Sequence, residues 1–159
     1  MLQRKYSGLK NYTKMKMKKS LYAILFLSLV GICFVACTPD ENENIKQVES
    51  PVWTAVTTNY PANMTAVISL PSNLQAYMGE NDKLAAFNGD SCRGIAQIVD
   101  NQFFLVIKGD PQENYKVTIK YYNARLKYLY EVKDFTTFDA DMVIGTSDNP
   151  EILPFTVIK

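Results

Sequence analysis

The chain contains no histidine, which removes Ser-His-Asp triads, Cys-His pairs and His-ligated zinc or iron sites together. Carboxylates, one arginine, one thiol and several aromatic rings are left to do chemistry. Asp82, Asp90, Asp139, Asp141 and Asp148 are spaced through turn-rich stretches, the raw material of a calcium site. No EF-hand-type spacing is present, so no metal ligand and no cofactor is assigned. Paired carboxylates also run glycoside hydrolysis, yet a chain this short offers no evident deep cleft, and no catalytic residue is assigned. Arg93 has two readings: a salt bridge to Asp82 or Asp90 that fixes a hairpin, or a two-pronged clamp on a carboxylate or sulfate. Trp53, Tyr60, Tyr77 and Tyr122 are the material for an aromatic platform of the kind that stacks sugar rings; the competing use is core packing. Trp53, Tyr60, Tyr77, Arg93 and Tyr122 are therefore the candidate ligand-binding residues.

Those residues follow a leader. Lys14, Lys16, Lys18 and Lys19 precede an uncharged run of sixteen residues, 21–36, which ends in small residues before Cys37. A membrane-spanning helix needs about 20 apolar residues, so the pattern reads as an export signal. Met15 or Met17 would each give a signal of ordinary length. Phe34-Val35-Ala36-Cys37 resembles a lipobox, with Phe34 where Leu is usual. Asp40-Glu41-Asn42-Glu43 resembles the export tag of Bacteroidota-type lipoproteins displayed outward. The resemblance implies a signal peptide 1–36, a lipid on Cys37 that holds the protein to the outer membrane, and exposure at the cell surface.

With the leader removed, ten Lys and Arg stand against sixteen Asp and Glu, a balance of −6. An acidic chain without a basic run argues against nucleic acid as a partner. Cys33 leaves with the leader and Cys37 carries the lipid, so no intramolecular disulfide is expected. Cys92, with no histidine beside it, reads as a buried small hydrophobe. Residues 38–50 are polar and acidic and read as a disordered tether that reaches at most about 45 Å. A single domain follows, 51–159, and its roughly 110 residues suffice for a core.

Short apolar or alternating runs fill that domain: 52–56, 64–70, 83–87, 92–99, 102–108, 115–122, 125–132, 141–144 and 152–158. Asn88-Gly89, Asp100-Asn101, Gly109-Asp110-Pro111, Asn123-Ala124 and Asn149-Pro150 punctuate them. The expected fold is all-β: one antiparallel sandwich, Ig-like or jelly-roll-like, of about seven to nine strands. Residues 72–78 offer at most one helical turn. A two-residue loop at Asn123-Ala124 sets Tyr121 opposite Leu126 and Ile119 opposite Tyr128. It sorts Val117, Ile119, Tyr121, Leu126, Tyr128 and Tyr130 onto one face and Lys116, Thr118, Lys120, Tyr122, Arg125, Lys127 and Glu131 onto the other, with Leu129 as the apolar exception. A type I′ turn at Asn88-Gly89 makes 83–99 one hairpin with Ala85, Phe87, Cys92, Gly94, Ala96 and Ile98 on one face. Trp53 or a tyrosine of the other hairpin is expected to pack over its small residues.

Asp82-Lys83-Leu84-Ala85-Ala86-Phe87 and Cys92-Arg93-Gly94-Ile95-Ala96 resemble the D-x-hydrophobic-A-A-F and C-R-G-hydrophobic-A pattern of an uncharacterised β domain in secreted and surface proteins of the same bacterial group. Asn123 stands where that pattern usually has Asp. The resemblance implies fold and location only. The expectation is a non-catalytic binding module on the outer surface, held to the membrane through lipidated Cys37, for a glycan or an extracellular or envelope protein. A structural subunit of an envelope lipoprotein complex is the alternative, and a small carboxylate-based hydrolase ranks behind both. An aromatic strip exposed on a sheet face would favour glycan binding; a contiguous apolar patch would favour a structural role.

Overall fold

The computed structural model describes residues 45–56 and 58–158. The leader, Cys37 and the acidic residues 38–44 lie outside the described residues. Among those described, no helix is long and apolar enough to cross a membrane.

Two sheets enclose one core. The first runs in the order β4 (Gln97–Val99), β5 (Gln102–Gly109), β1 (Ala62–Ser69), β8 (Val143–Ile144), with β9 (Glu151–Ile152) also paired to β1. The second runs β10 (Thr156–Val157), β7 (Tyr128–Thr137), β6 (Lys116–Asn123), β2 (Lys83–Asn88), β3 (Ser91–Ile95). The expected all-β sandwich is what forms. Period-two alternation turns Met64, Ala66 and Ile68 of β1 and Phe103, Leu105 and Ile107 of β5 inward against Leu84 and Ala86 of β2 and Val117, Ile119 and Tyr121 of β6. Ser72–Gln75 makes the single turn of helix α1. The pairing is not wholly antiparallel, because β8 and β9 run parallel to β1.

The hairpins depart from expectation in instructive ways. The β6–β7 loop has four residues, 124–127, rather than two, and Tyr121 pairs with Tyr130 and Ile119 with Val132. Buried Asn123 accepts Leu126 N–H on its side chain and Lys127 N–H on its carbonyl, and Lys127 takes φ 57°. The displacement is four residues, an even number, so the inward and outward sorting of side chains survived. The type I′ turn is not at Asn88-Gly89. It lies at Asp100-Asn101, where both residues have positive φ, 49° and 60°, between Val99 and its partner Gln102. The β2–β3 loop is Gly89-Asp90, with positive φ on Gly89 alone.

Residues 83–99 are not one hairpin. The register slips between Ala86 and Phe87, because Ala86 faces Gly94 while Phe87 faces Cys92. Arg93 is the extra residue of a bulge. Cys92 consequently stays outside with Phe87, whereas Gly94 turns inward, against expectation. There β3 meets the other sheet: a Cβ on Gly94 would lie 2.0 Å from Val106 O. The ladder then breaks at Ala96, and β4 joins the first sheet, pairing with β5. Ala96 and Ile98 pack on the main core.

Residues 52–56 form no strand. The tether expected to extend to Ser50 is held earlier, since Val48 N–H donates to Lys127 O at 2.8 Å and Tyr122 Oη donates to Val48 O at 3.4 Å. Trp53 then packs edge-on against Phe87 at 5.5 Å, over Ala85 and Cys92; of the small residues it was expected to cover, Gly94 and Ala96 turn to the other face.

Gly94→Ala should destabilise the fold by about 1–3 kcal/mol or more, because the obstructing atom belongs to the backbone and cannot rotate away. A urea midpoint equal to that of the parent chain would show that the sheets do not meet there.

Candidate functional site

The middle of strand β5 is apolar on both faces. Phe103-Phe104-Leu105-Val106-Ile107 runs without a polar interruption, so alternation leaves Phe104 and Val106 outside. Across from them on β1 stand Val67 and Thr65, and beyond Thr65 stands Val143 of β8. On the other side Gln97 faces Phe104, and the strand exit after Gly94 brings Ile95 to the rim. Thr65, Val67, Ile95, Gln97, Phe104 and Val106 line a depression of about 470 Å³, and no charged side chain enters its lining. Val106 is 47% exposed and Val143 67%. Scattered surface aliphatics need no explanation, but an uncharged depression shared by β4, β5 and β1 does, although Lys108 stands on the same face towards the end of β5.

The other sheet face is occupied. By register Lys83, Ala85 and Phe87 of β2 and Lys120 and Tyr122 of β6 point outward together. Over them lies the segment 48–56. Lys83 Nζ donates to Pro51 O at 2.8 Å, and Val56 N–H donates to Cys92 O at 2.9 Å. Lys120 Nζ sits 4.6 Å from the Phe87 ring centre. Burial pushes the Cys92 thiol above its ordinary value, with a backbone hydrogen bond from Gly94 as the smaller, opposing cause. A thiol in that state is a packing group.

At the end of the sandwich the bulge inserts the Arg93 guanidinium between two tyrosine rings, 3.7 Å from the Tyr60 ring centre and 5.3 Å from that of Tyr115. Arg93 is only 4% exposed. Its partner is Glu113, at 3.3 Å, and not Asp82 or Asp90. Nε and Nη1 are buried without a hydrogen-bond partner among the described residues, so the ring faces carry part of the cation's stabilisation. Tyr115 is stacked in turn on Phe138 at 5.3 Å.

Asp82 is the hub of a buried polar network. Its carboxylate accepts Tyr121 Oη–H at 2.6 Å, Asn123 Nδ2–H at 3.1 Å, Gly79 N–H at 3.1 Å and Ala124 N–H at 2.8 Å. Asn123 also donates to Tyr77 O at 2.9 Å. With this much of its acceptor capacity taken, Asp82 is structural. The dispersed aspartates do not gather into a calcium site, because among the described residues no three acidic or thiol groups come together.

The five candidate residues are thus distributed and form no platform. Tyr122 is buried, with its hydroxyl on Val48. Trp53 is half-buried with its edge on Phe87, whereas Tyr60 covers Arg93. Tyr77 is exposed beside the Arg125 guanidinium. Tyr60 and Arg93 meet, and Trp53 and Tyr122 share one sheet face, but no exposed aromatic strip results. The apolar outer face of the first sheet was missed. Its signal was the lack of alternation in 103–107, which marks a strand apolar on both sides. No family model, curated protein or solved structure matches the chain.

Asp82→Ala would leave a phenol, an amide and two backbone N–H groups without their acceptor, and should cost about 2–5 kcal/mol in urea unfolding. A loss below about 1 kcal/mol would mean that the network is solvated.

Burial is also the main cause that raises Tyr121 and Tyr130 above the ordinary tyrosine value of 10.0. Burial pushes Tyr115 up to about 12, partly offset by the nearby Arg93 charge. A folded-state value above the unfolded one means that stability is complete below pH 10 and is lost as the pH rises towards 12. Urea midpoints should be level below that window and fall within it, in step with phenolate absorbance; level midpoints throughout would contradict the assignment.

Proposed function

We propose that this chain is an outer-surface lipoprotein, anchored through Cys37, that acts as a non-catalytic binding module for an extracellular or envelope protein. The observation that carries the reading is the depression of about 470 Å³ on the outer face of β4, β5 and β1, whose lining is uncharged and built around Val67, Ile95, Phe104 and Val106. Water leaves such a surface at a gain of about 25 cal/mol for each Å² covered, and a partner without charges at the contact loses no ionic hydration there. Stacking on sugar rings would require a strip of exposed aromatic faces, whereas Tyr122 is buried and Trp53 is half-buried on Phe87. This weighs the ligand toward protein and away from glycan. The absence of charge also lends support to the second reading, a structural subunit of an envelope lipoprotein complex, because permanent interfaces are the more apolar ones.

The test places a photo-crosslinking residue at Val106 in the full chain, expressed with its leader on cells, and at Val52, which is 92% exposed on the opposite segment, as control. A discrete conjugate is expected from position 106 alone, and Val67→Glu should abolish it by placing a charge that a dry contact cannot solvate. Conjugates of equal pattern from both positions would sink the assignment. Cys37→Ser should move the chain from the membrane to the soluble fraction; an unchanged distribution would remove the lipid anchor.

A further inference from the structure

We propose that Arg93 is the receptor of a carboxylate-binding site at the end of the sandwich, and that Glu113 holds the place of the ligand's carboxylate until it arrives. The site goes beyond the binding surface assigned above and uses none of the residues that line the depression. The observation behind it is the state of the guanidinium. Arg93 is 4% exposed, yet its Nε and Nη1 have no hydrogen-bond partner among the described residues. A buried cation with open donors is costly, and such a group calls for a partner from outside the fold.

Glu113 meets only part of that need. Its Oε2 lies 3.3 Å from Nη2 and bonds to no other nitrogen of Arg93. A guanidinium offers two forks, Nε with Nη2 along its side and Nη1 with Nη2 at its end. Nη2 belongs to both, so Glu113 fills half of a fork and leaves the other half of each vacant. The loop between β5 and β6 explains the shortfall. Glu113 N–H donates to Asp110 O at 2.9 Å and Gln112 N–H to Asp110 Oδ1 at 2.9 Å, which fixes the backbone from which the side chain must reach. That side chain is 41% exposed, and it can rotate into solvent without moving a strand, freeing the guanidinium edge.

The rings select the ligand. The Tyr60 and Tyr115 ring centres stand 3.7 Å and 5.3 Å from the guanidinium carbon, so a ligand approaches along the edge between them. A carboxylate is planar and carries one charge: it makes two parallel bonds in that plane and neutralises the cation, as a tetrahedral dianion does not. Water excluded by the rings strengthens the pair further.

The experiment uses the full chain in detergent, with isotope-labelled arginine and with Arg4→Lys and Arg125→Lys, so that Arg93 alone supplies the arginine Nε–H signal in magnetic resonance. Sodium acetate is titrated against sodium chloride at equal ionic strength, with Glu113 intact and with Glu113→Gln. Acetate should shift the signal saturably and chloride should not. The midpoint with Glu113→Gln should lie about tenfold below that with Glu113 intact, because the internal competitor is gone. Acetyl-trialanine with a free C-terminus, beside its C-terminal amide, identifies the source. A response to the free acid alone supports the end of a polypeptide, and a response to acetate but to neither peptide supports a small acid. No response to acetate with Glu113→Gln, equal midpoints in the two chains, or equal responses to free acid and amide overturns the proposal. Should the labelled chains not fold, Glu113→Gln alone is unfolded in urea: acetate should raise the midpoint above that in chloride, and adding Arg93→Lys should abolish the difference. A midpoint that acetate leaves unchanged refutes the site.

Discussion

The approach of Gly94 to the backbone of Val106 governs more of this fold than any other single contact. Two stacked sheets normally keep about 10 Å between them. At β3 that spacing closes until a Cβ would lie 2.0 Å from Val106 O, and the chain passes from the second sheet to the first within two residues. The bulge at Arg93 makes this possible: it turns Gly94 inward without moving Cys92 and Phe87 from the outer face. The same crossing sets Ile95 and Gln97 at the rim of the apolar depression. Site and fold therefore share one constraint.

Asp82 applies a second constraint at the other end of β2. A buried carboxylate is tolerated only when its oxygens are bonded, and here four donors converge on it from the turn before β2 and from the end of β6. Asn123 suits this arrangement, since its amide donates to Asp82 where a second carboxylate would repel it. Several residues of the stretches 82–87 and 92–96 have such a task. Asp82 ties two loops, Ala85 and Phe87 receive Trp53, Arg93 forms the bulge, and Gly94 permits the crossing. Their pattern encodes a shape, and the depression that could meet a partner lies mostly on other residues.

Much of the architecture was legible because period-two alternation is a strong signal. Val117, Ile119 and Tyr121 were placed inside from spacing alone, and an error in loop length left their sorting intact because it was even. The odd slip at Arg93 could not be read, because a bulge leaves no mark in composition, and it carried Gly94 to the other face. The turn at Asp100-Asn101 was visible as turn chemistry, but the choice between it and Asn88-Gly89 for left-handed backbone at both positions depends on strand twist. The aromatic residues misled for a related reason. Type says that a ring can stack on a ligand, whereas burial decides whether it is free to, and Tyr122 is covered by a segment that reads as tether.

That segment changes what tension would do. Under the proposed anchoring at Cys37, a load between membrane and domain enters at Val48, the first held residue among those described. The segment 48–56 is attached by bonds spaced along its length, so force reaches them one after another, and they peel instead of shearing together. No ladder of the sandwich has to open before that segment is off. Each residue released then adds about 3.3–3.6 Å of slack. The domain would yield in length under small forces while its core and its apolar face stayed whole, as a compliant link does between a fixed point and a rigid body.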